Sequence, residues 1–198
     1  MSFSIVIPVR PPGEGKSRLA PALDERARAA LVERMFRHVL RVATQVVPPV
    51  QCHVVSRSPL LLDLAAAGGA RAIRETGSGL NAALRQASAL VDPALPLLAL
   101  SADLPLLAPA DLAALAEMLD TADVTAATDR AGIGTNALLL RRPGLIDYSF
   151  GADSLALHRA RAMASGLRFT VMRREGLSAD LDEPRDLALL ARPSLSAA

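Results

Sequence analysis

The chain has no tryptophan, one tyrosine (Tyr148) and four phenylalanines, so it has almost no platform on which single-stranded nucleic acid could stack. It also lacks a strong excess of charge. Its 22 Lys and Arg against 20 Asp and Glu leave a net +2, and the basic residues are scattered apart from pairs such as Arg141-Arg142 and Arg173-Arg174. A small anionic ligand held by a few placed cations is expected, and no nucleic acid. The single cysteine, Cys52, rules out an internal disulfide and fits a reducing cytoplasm. It is expected to be a small core residue, not a nucleophile. His38 and His53 have no ligand-like spacing. The longest strongly apolar stretch, 93–107, contains Asp103 and three prolines and is too short to span a membrane. Strand-like sequence begins at Phe3, so no signal peptide and no membrane are expected.

What is present is a core. The chain of 198 residues is 51% hydrophobic, with a mean hydropathy of +0.29, enough for one well-packed domain over 1–192 and a homodimer interface besides. The tail 193–198 is expected to fray. Apolar runs and helical periods alternate. A strand over 3–9 precedes a long helix that Asp24 can cap, with Leu31, Met35, Val39, Val42 and Val46 on one face. Further strands are expected near 50–55, 70–73, 95–101, 124–128, 136–140 and 167–172. Helices are expected near 59–67, 80–90, 109–119 and 154–165, with a last one opening at Glu183-Pro184. This alternation predicts an α/β fold with a doubly wound, mostly parallel sheet. Ligands in such sheets bind beyond the carboxyl ends of the strands.

The first strand runs into Arg10-Pro11-Pro12-Gly13-Glu14-Gly15-Lys16-Ser17-Arg18. Gly15-Lys16-Ser17 invites a P-loop reading, but that pattern needs another glycine where Arg10 stands. The next two residues are prolines without amide hydrogens. Such a loop cannot wrap phosphate in consecutive backbone N–H groups, so Arg10, Lys16 and Arg18 are expected to grip an anion with their side chains.

Asp103 ends an apolar strand in Ala102-Asp103-Leu104-Pro105. A carboxylate there suits Mg²⁺ held against nucleotide phosphates, or else a loop salt bridge. Asp180 and Asp182, two apart in extended chain, point to one side and could complete the site with one or two ions. On spacing alone, capping of the last helix by Asp182 or Glu183 stands beside that reading. Gly77, Gly79 and Asn81 suit a nucleotide's base and ribose, and equally a turn and helix cap.

These segments recur together. Ile7-Pro8-Val9-Arg10, Gly15-Lys16-Ser17-Arg18-Leu19-Ala20-Pro21, Gly79-Leu80-Asn81-Ala82-Ala83-Leu84 and Ala102-Asp103-Leu104-Pro105-Leu106-Leu107 lead the series. Gly134-Thr135-Asn136-Ala137-Leu138, Phe150-Gly151-Ala152-Asp153-Ser154 with His158, and Asp180-Leu181-Asp182-Glu183-Pro184-Arg185-Asp186-Leu187 follow. Over nearly its whole length the chain resembles the guanylyltransferases of coenzyme F-420 biosynthesis, within the MobA-like nucleotidyltransferases. Arg10 stands where that family often has lysine, and Gly15 where it often has alanine. The resemblance implies transfer of GMP from GTP to a phosphorylated three-carbon acid, with release of pyrophosphate. Acceptors of the family include 2-phospho-L-lactate, phosphoenolpyruvate and 3-phospho-D-glycerate. It also implies Mg²⁺ as cofactor, a catalytic set of Lys16, Arg18 and Asp103, and metal ligation by Asp103 with Asp182 and Asp180. Thr135, Gly151 and Ser154 would hold the acceptor, although Ser154 alone reads as an N-cap and His158 as either an acceptor contact or a structural residue. A molybdopterin or sugar-phosphate nucleotidyltransferase, P-loop phosphotransfer and a non-catalytic nucleotide-binding protein remain as alternatives.

Overall fold

Strands buried on both faces read as continuous apolar runs, because neither side can afford a polar residue. Two such runs lie at the middle of the sheet in the computed structural model, which describes residues 2–191. They are β1 (Ser4–Pro8) and β4 (Leu97–Leu100). Between them in the chain come α1 (Glu25–Val46), β2 (Cys52–Ser56), α2 (Pro59–Ala67), β3 (Arg71–Arg74) and α3 (Leu80–Ser88). After β4 follow α4 (Pro109–Glu117), β5 (Val124–Thr128), β6 (Thr135–Leu140), α5 (Ser154–Ala164), β7 (Phe169–Met172) and α6 (Glu175–Ser178).

The seven strands form one sheet in the order β3-β2-β1-β4-β6-β5-β7. Only β6 runs against the others, pairing antiparallel with both β4 and β5. Alternate side chains feed two cores. Ile5, Ile7, Leu98 and Leu100 pack with Phe36, Val39, Leu61, Leu112 and Leu115 from α1, α2 and α4. Val6, Leu97, Ala99 and Leu138 pack with Leu84, Leu155 and Ala162 from α3 and α5. Helices thus cover both faces, as the pattern predicted.

Local chemistry sets the ends. Asp24 caps α1 through its side chain, which accepts from the Ala27 amide at 2.7 Å, and the expected apolar face of that helix is turned inward. Pro48-Pro49 stops the helix and makes a 3₁₀ turn over Pro49–Gln51, so β2 begins at Cys52 instead of Val50. The last expected helix is a 3₁₀ coil, Pro184–Ala191. The four-residue α6 escaped the sequence reading because one turn carries no period. The tail 193–198 lies outside the described residues.

Cys52 is fully buried, and burial pushes its thiol up to about 12. A thiolate reagent at pH 8 should therefore leave the native protein unlabelled and modify it stoichiometrically in denaturing urea. Rapid labelling of the native protein would refute this packing.

Candidate active site

Antiparallel β6 starts at the edge where its neighbours end. Leu100 of β4 pairs with Ala137, and the Ser101 amide donates to the Asn136 carbonyl at 2.9 Å. The carboxyl ends of β1 and β4, the start of β6 and the segment after α6 therefore share one edge of the sheet. Every expected carboxylate and cation of the site comes from these segments.

The loop after β1 is shaped by its prolines. Short 3₁₀ turns at Pro12–Glu14 and Ser17–Leu19 flank Lys16, which takes a left-handed conformation with φ of 60°. That backbone costs a non-glycine residue about 1–2 kcal/mol. Here it turns the side chain inward, where only 9% remains exposed. The ammonium donates to Asp103 Oδ2 at 2.5 Å and to Asp182 Oδ1 at 3.0 Å. Arg18 donates to the other oxygen of Asp182 at 3.0 Å. The Leu181 amide also donates to the Asp103 carbonyl at 3.1 Å, so main chain and side chains join the same two segments. Arg10 is exposed and stands outside this cluster.

The charges respond to this arrangement. Burial alone would lower the Lys16 pKa, but Asp103 and Asp182 outweigh it and raise it. Burial alone would raise Asp182, but Lys16 and Arg18 outweigh it and lower it. Asp180 is raised, first by burial and then by the Asp103 charge, against the opposing Asn136 hydrogen bond.

Asp180 enters through Asn136, whose Nδ2 donates to Asp180 Oδ1 at 3.2 Å and to the Leu177 carbonyl at 3.0 Å. Asp186 accepts from the amides of Asp182 and Glu183 at 3.0 and 2.8 Å through one oxygen. Its other oxygen lies 3.4 Å from Arg130, which also donates to the Asp180 carbonyl at 3.2 Å. Asp186 thus braces the loop that presents Asp182.

One atom bears directly on a cation. Asp103 Oδ1 is buried and has no hydrogen-bond partner, which an anionic oxygen tolerates poorly. An oxygen-seeking divalent ion would satisfy it. Among the described residues no three acidic, histidine or cysteine side chains already converge as a cage, and Lys16 sits between two of the candidate ligands.

The other half of the edge is held by His158, which is fully buried and so unavailable to touch a substrate. The Ser149 amide donates to its Nε2 at 3.0 Å, and its Nδ1 lies 3.1 Å from Thr135 Oγ1. The Phe150 ring meets the imidazole edge-on, 5.0 Å between centroids. Asn81 clasps the same segment: the Phe150 amide donates to Oδ1 at 2.8 Å, and Nδ2 donates to the Phe150 carbonyl at 3.0 Å. Its amide therefore ties the first turn of α3 to the 148–153 loop. Gly77 and Gly79 are exposed in the turn before α3. Gly79 has φ of 88° and leaves the start of α3 without a side-chain cap.

Gly151, also exposed, has φ of 129° with open space where a Cβ would stand. Asp153, not Ser154, takes the N-cap position of α5, and Ser154 is the buried first helical residue. The Leu155 amide donates to the Ile133 carbonyl at 3.1 Å, fastening this helix to the turn before β6. Sequence reasoning missed Asn136, Arg130 and Ser149. Asn136 sits next to Thr135 at a strand start, and its amide was the available signal.

The mostly parallel α/β sheet, with Lys16 held between Asp103 and Asp182 at its carboxyl edge, has the fold of solved nucleotidyltransferases. The chain superposes on CMP:2-keto-3-deoxy-manno-octonic acid synthetase, solved with CTP, at a TM-score of 0.63, with 20% identity and coverage of 96% of this chain and 99% of that one. A 4-diphosphocytidyl-2C-methyl-D-erythritol synthase from Anaerococcus prevotii gives a TM-score of 0.62 at 10% identity, covering 96% and 97%.

Sequence sharpens the class. Residues 3–191 match the family described as guanylyl transferase CofC like, and the chain belongs to that family. It is 43% identical over 193 residues to a phosphoenolpyruvate guanylyltransferase of Rubrobacter xylanophilus, covering 96% of this chain and 94% of the relative. It is 38% identical over 183 residues to a 3-phospho-D-glycerate guanylyltransferase of Phenylobacterium zucineum, covering 89% and 84%. Among the described residues no helix is long and apolar enough to cross a membrane.

Burial first, and then Arg161, lowers the His158 pKa to about 4. Burial lowers His38 and His53 as well. A histidine with a depressed folded pKa stabilises the fold above its unfolded pKa and costs stability as pH falls below it. The His158 contribution should thus be complete above about pH 6.5 and lost toward pH 4, by roughly 3 kcal/mol in all and roughly 2 by pH 5. Urea unfolding at pH 7.5, 6 and 5 should show this decline, and a flatter one in H158Q. An equal decline in both proteins would contradict it.

Proposed function

We propose that this chain transfers GMP from GTP to the phosphate of a three-carbon phospho-acid, releasing pyrophosphate, in coenzyme F-420 biosynthesis. Phosphoenolpyruvate is the first candidate acceptor, with 3-phospho-D-glycerate and 2-phospho-L-lactate beside it. The observation that carries this reading is the Lys16 ammonium held between Asp103 and Asp182, at the sheet edge where Thr135 and the 148–153 loop also lie.

The nucleophile is an oxygen of the acceptor phosphate, which is already anionic at neutral pH because its second pKa is about 6. It forms a bond to the α-phosphorus of GTP as the bond to the bridging oxygen of the β-phosphate breaks, and that electron pair leaves on pyrophosphate. No proton need be removed from the nucleophile. The work is to align two polyanions in line and neutralise their charge. Lys16 and Arg18 exchange carboxylate for the β- and γ-phosphates. Gly77, Gly79 and the start of α3 take the nucleoside, with Arg10 flanking the phosphates and Asn81 acting through Phe150. Thr135 and Gly151 take the acceptor, with Ser154 contributing through the start of α5, where its side chain is buried. Mg²⁺ would be held by Asp103 and Asp182 with Asp180, and would supply charge neutralisation at the phosphates. The buried, partnerless Asp103 Oδ1 supports that assignment. The same reading places the enzyme in the cytoplasm and allows a homodimer.

The test is pyrophosphate release with GTP, Mg²⁺ and each of the three acids, with the GMP adduct identified by mass and a CTP arm for base choice. One acid should give the adduct, and GTP should outperform CTP. D103N should remain folded by circular dichroism and lose about 100-fold or more in kcat, as when a charge-stabilising group is removed from a reacting centre. No pyrophosphate with any acid, or full activity in D103N, would overturn the proposal.

A further inference from the structure

We infer that His158 is a positioning residue that fixes the polarity of the Thr135 hydroxyl, making it a dedicated hydrogen-bond donor to an anionic oxygen of the acceptor. This rests on the proposed role of Thr135 in holding the acceptor. A buried histidine is ordinarily a packing residue, but this one has a hydrogen-bond partner at each ring nitrogen, and one of those partners has no choice of role.

The Ser149 backbone amide can only donate. Nε2, 3.0 Å away, must therefore accept, and a neutral imidazole then carries its hydrogen on Nδ1. That hydrogen points at Thr135 Oγ1, 3.1 Å away. A threonine hydroxyl has one hydrogen and two lone pairs. With a lone pair taken by Nδ1–H, its own hydrogen is left uncommitted, and the hydroxyl has no second hydrogen-bond partner among the described residues. Thr135 opens β6 at the working edge and keeps 6% of its surface exposed, so that hydrogen is the one a bound acceptor would use.

The alternative ring states conflict with their surroundings. A proton on Nε2 would face the Ser149 N–H. The charged ring would do the same inside a fully buried site, with Arg161 close by and donating to Ser149 Oγ at 2.6 Å. The loop is held in place independently by Asn81 on Phe150 and by the Tyr148 hydroxyl 2.6 Å from Ser88 Oγ. Ser149 therefore cannot easily turn its amide away. One ring thus sets the direction of Thr135 and the seat of the loop carrying Gly151. A hydroxyl fixed as donor favours phosphate and carboxylate over ligand groups that could only donate.

Two substitutions separate the ring's two edges. Asn places an amide nitrogen where Nδ1 stands, and Gln places a carbonyl oxygen near Nε2. T135V and H158Q should each raise the acceptor KM by about 10- to 100-fold, the range for losing one hydrogen bond to a charged group, while the GTP KM stays within about twofold of wild type. H158N, which keeps a donor toward Thr135, should recover most of that loss. The double variant T135V/H158Q should be no worse than T135V alone, because both remove one interaction.

In wild-type protein labelled with ¹⁵N-histidine, NMR should show a one-bond N–H coupling at His158 Nδ1 and none at Nε2. This measurement survives any failure of the variants to fold. The opposite tautomer, or equal rises in both KM values in H158Q, would overturn the inference. An active wild type whose T135V keeps its acceptor KM would overturn this inference alone. A wild type inactive with every acceptor would overturn the guanylyl-transfer reading and this inference with it.

Discussion

Lys16 meets Asp103 and Asp182 across 87 and 166 residues of chain, and the charge balance at this edge turns on that ammonium. Three carboxylates arrive there from two loops, and burial raises the cost of leaving any of them uncompensated. Lys16 and Arg18 neutralise Asp182, burial and then the Asp103 charge raise Asp180, and Asp103 Oδ1 is left without a partner. An acidic edge with a buried, partnerless carboxylate oxygen is consistent with the proposed nucleotide arriving with a divalent cation. The left-handed Lys16 backbone is the local cost of bringing the balancing charge inward.

Topology makes this possible. In a wholly parallel sheet, strand starts and strand ends lie on opposite edges. Reversing β6 places its first residues, Thr135 and Asn136, among the strand ends. Neighbouring positions on one strand then serve different partners: Thr135 meets His158, and Asn136 reaches Asp180. The Thr135–His158 half and the acidic half of the site are thereby set by one stretch of backbone, so their spacing is not left to flexible loops.

The parts legible in the sequence were those with a period or a chemical type. Alternating apolar runs reveal strands because each strand must fill two cores, and Lys16, Asp103 and Asp182 stand out as charges at the ends of such runs. What escaped depends on the third dimension. Asp186 looks like a helix-start carboxylate and turns out to brace Asp182 through two backbone amides. Asn81 has the groups a nucleotide needs, yet both ends of its amide meet Phe150. Nothing in spacing reveals that His158 is wholly buried, or that its partner is a backbone N–H on another loop. Ser154 and Asp153 differ by one position, and a left-handed turn at Asp153 decides which of them begins the helix.

A histidine beside a reactive centre invites assignment as a base, and here the physical setting argues for another use. Phosphate nucleophiles arrive charged, so a base has nothing to remove. Burial and Arg161 keep the ring neutral down to about pH 4, and a neutral ring with both nitrogens engaged cannot shuttle protons. What it can do is impose direction: one nitrogen must accept from Ser149, so the other must donate to Thr135. That chain of constraints begins at a backbone amide and ends at the Thr135 hydroxyl, the group proposed to meet the acceptor. In an active site whose task is to hold two polyanions in register, fixed donors matter more than mobile protons.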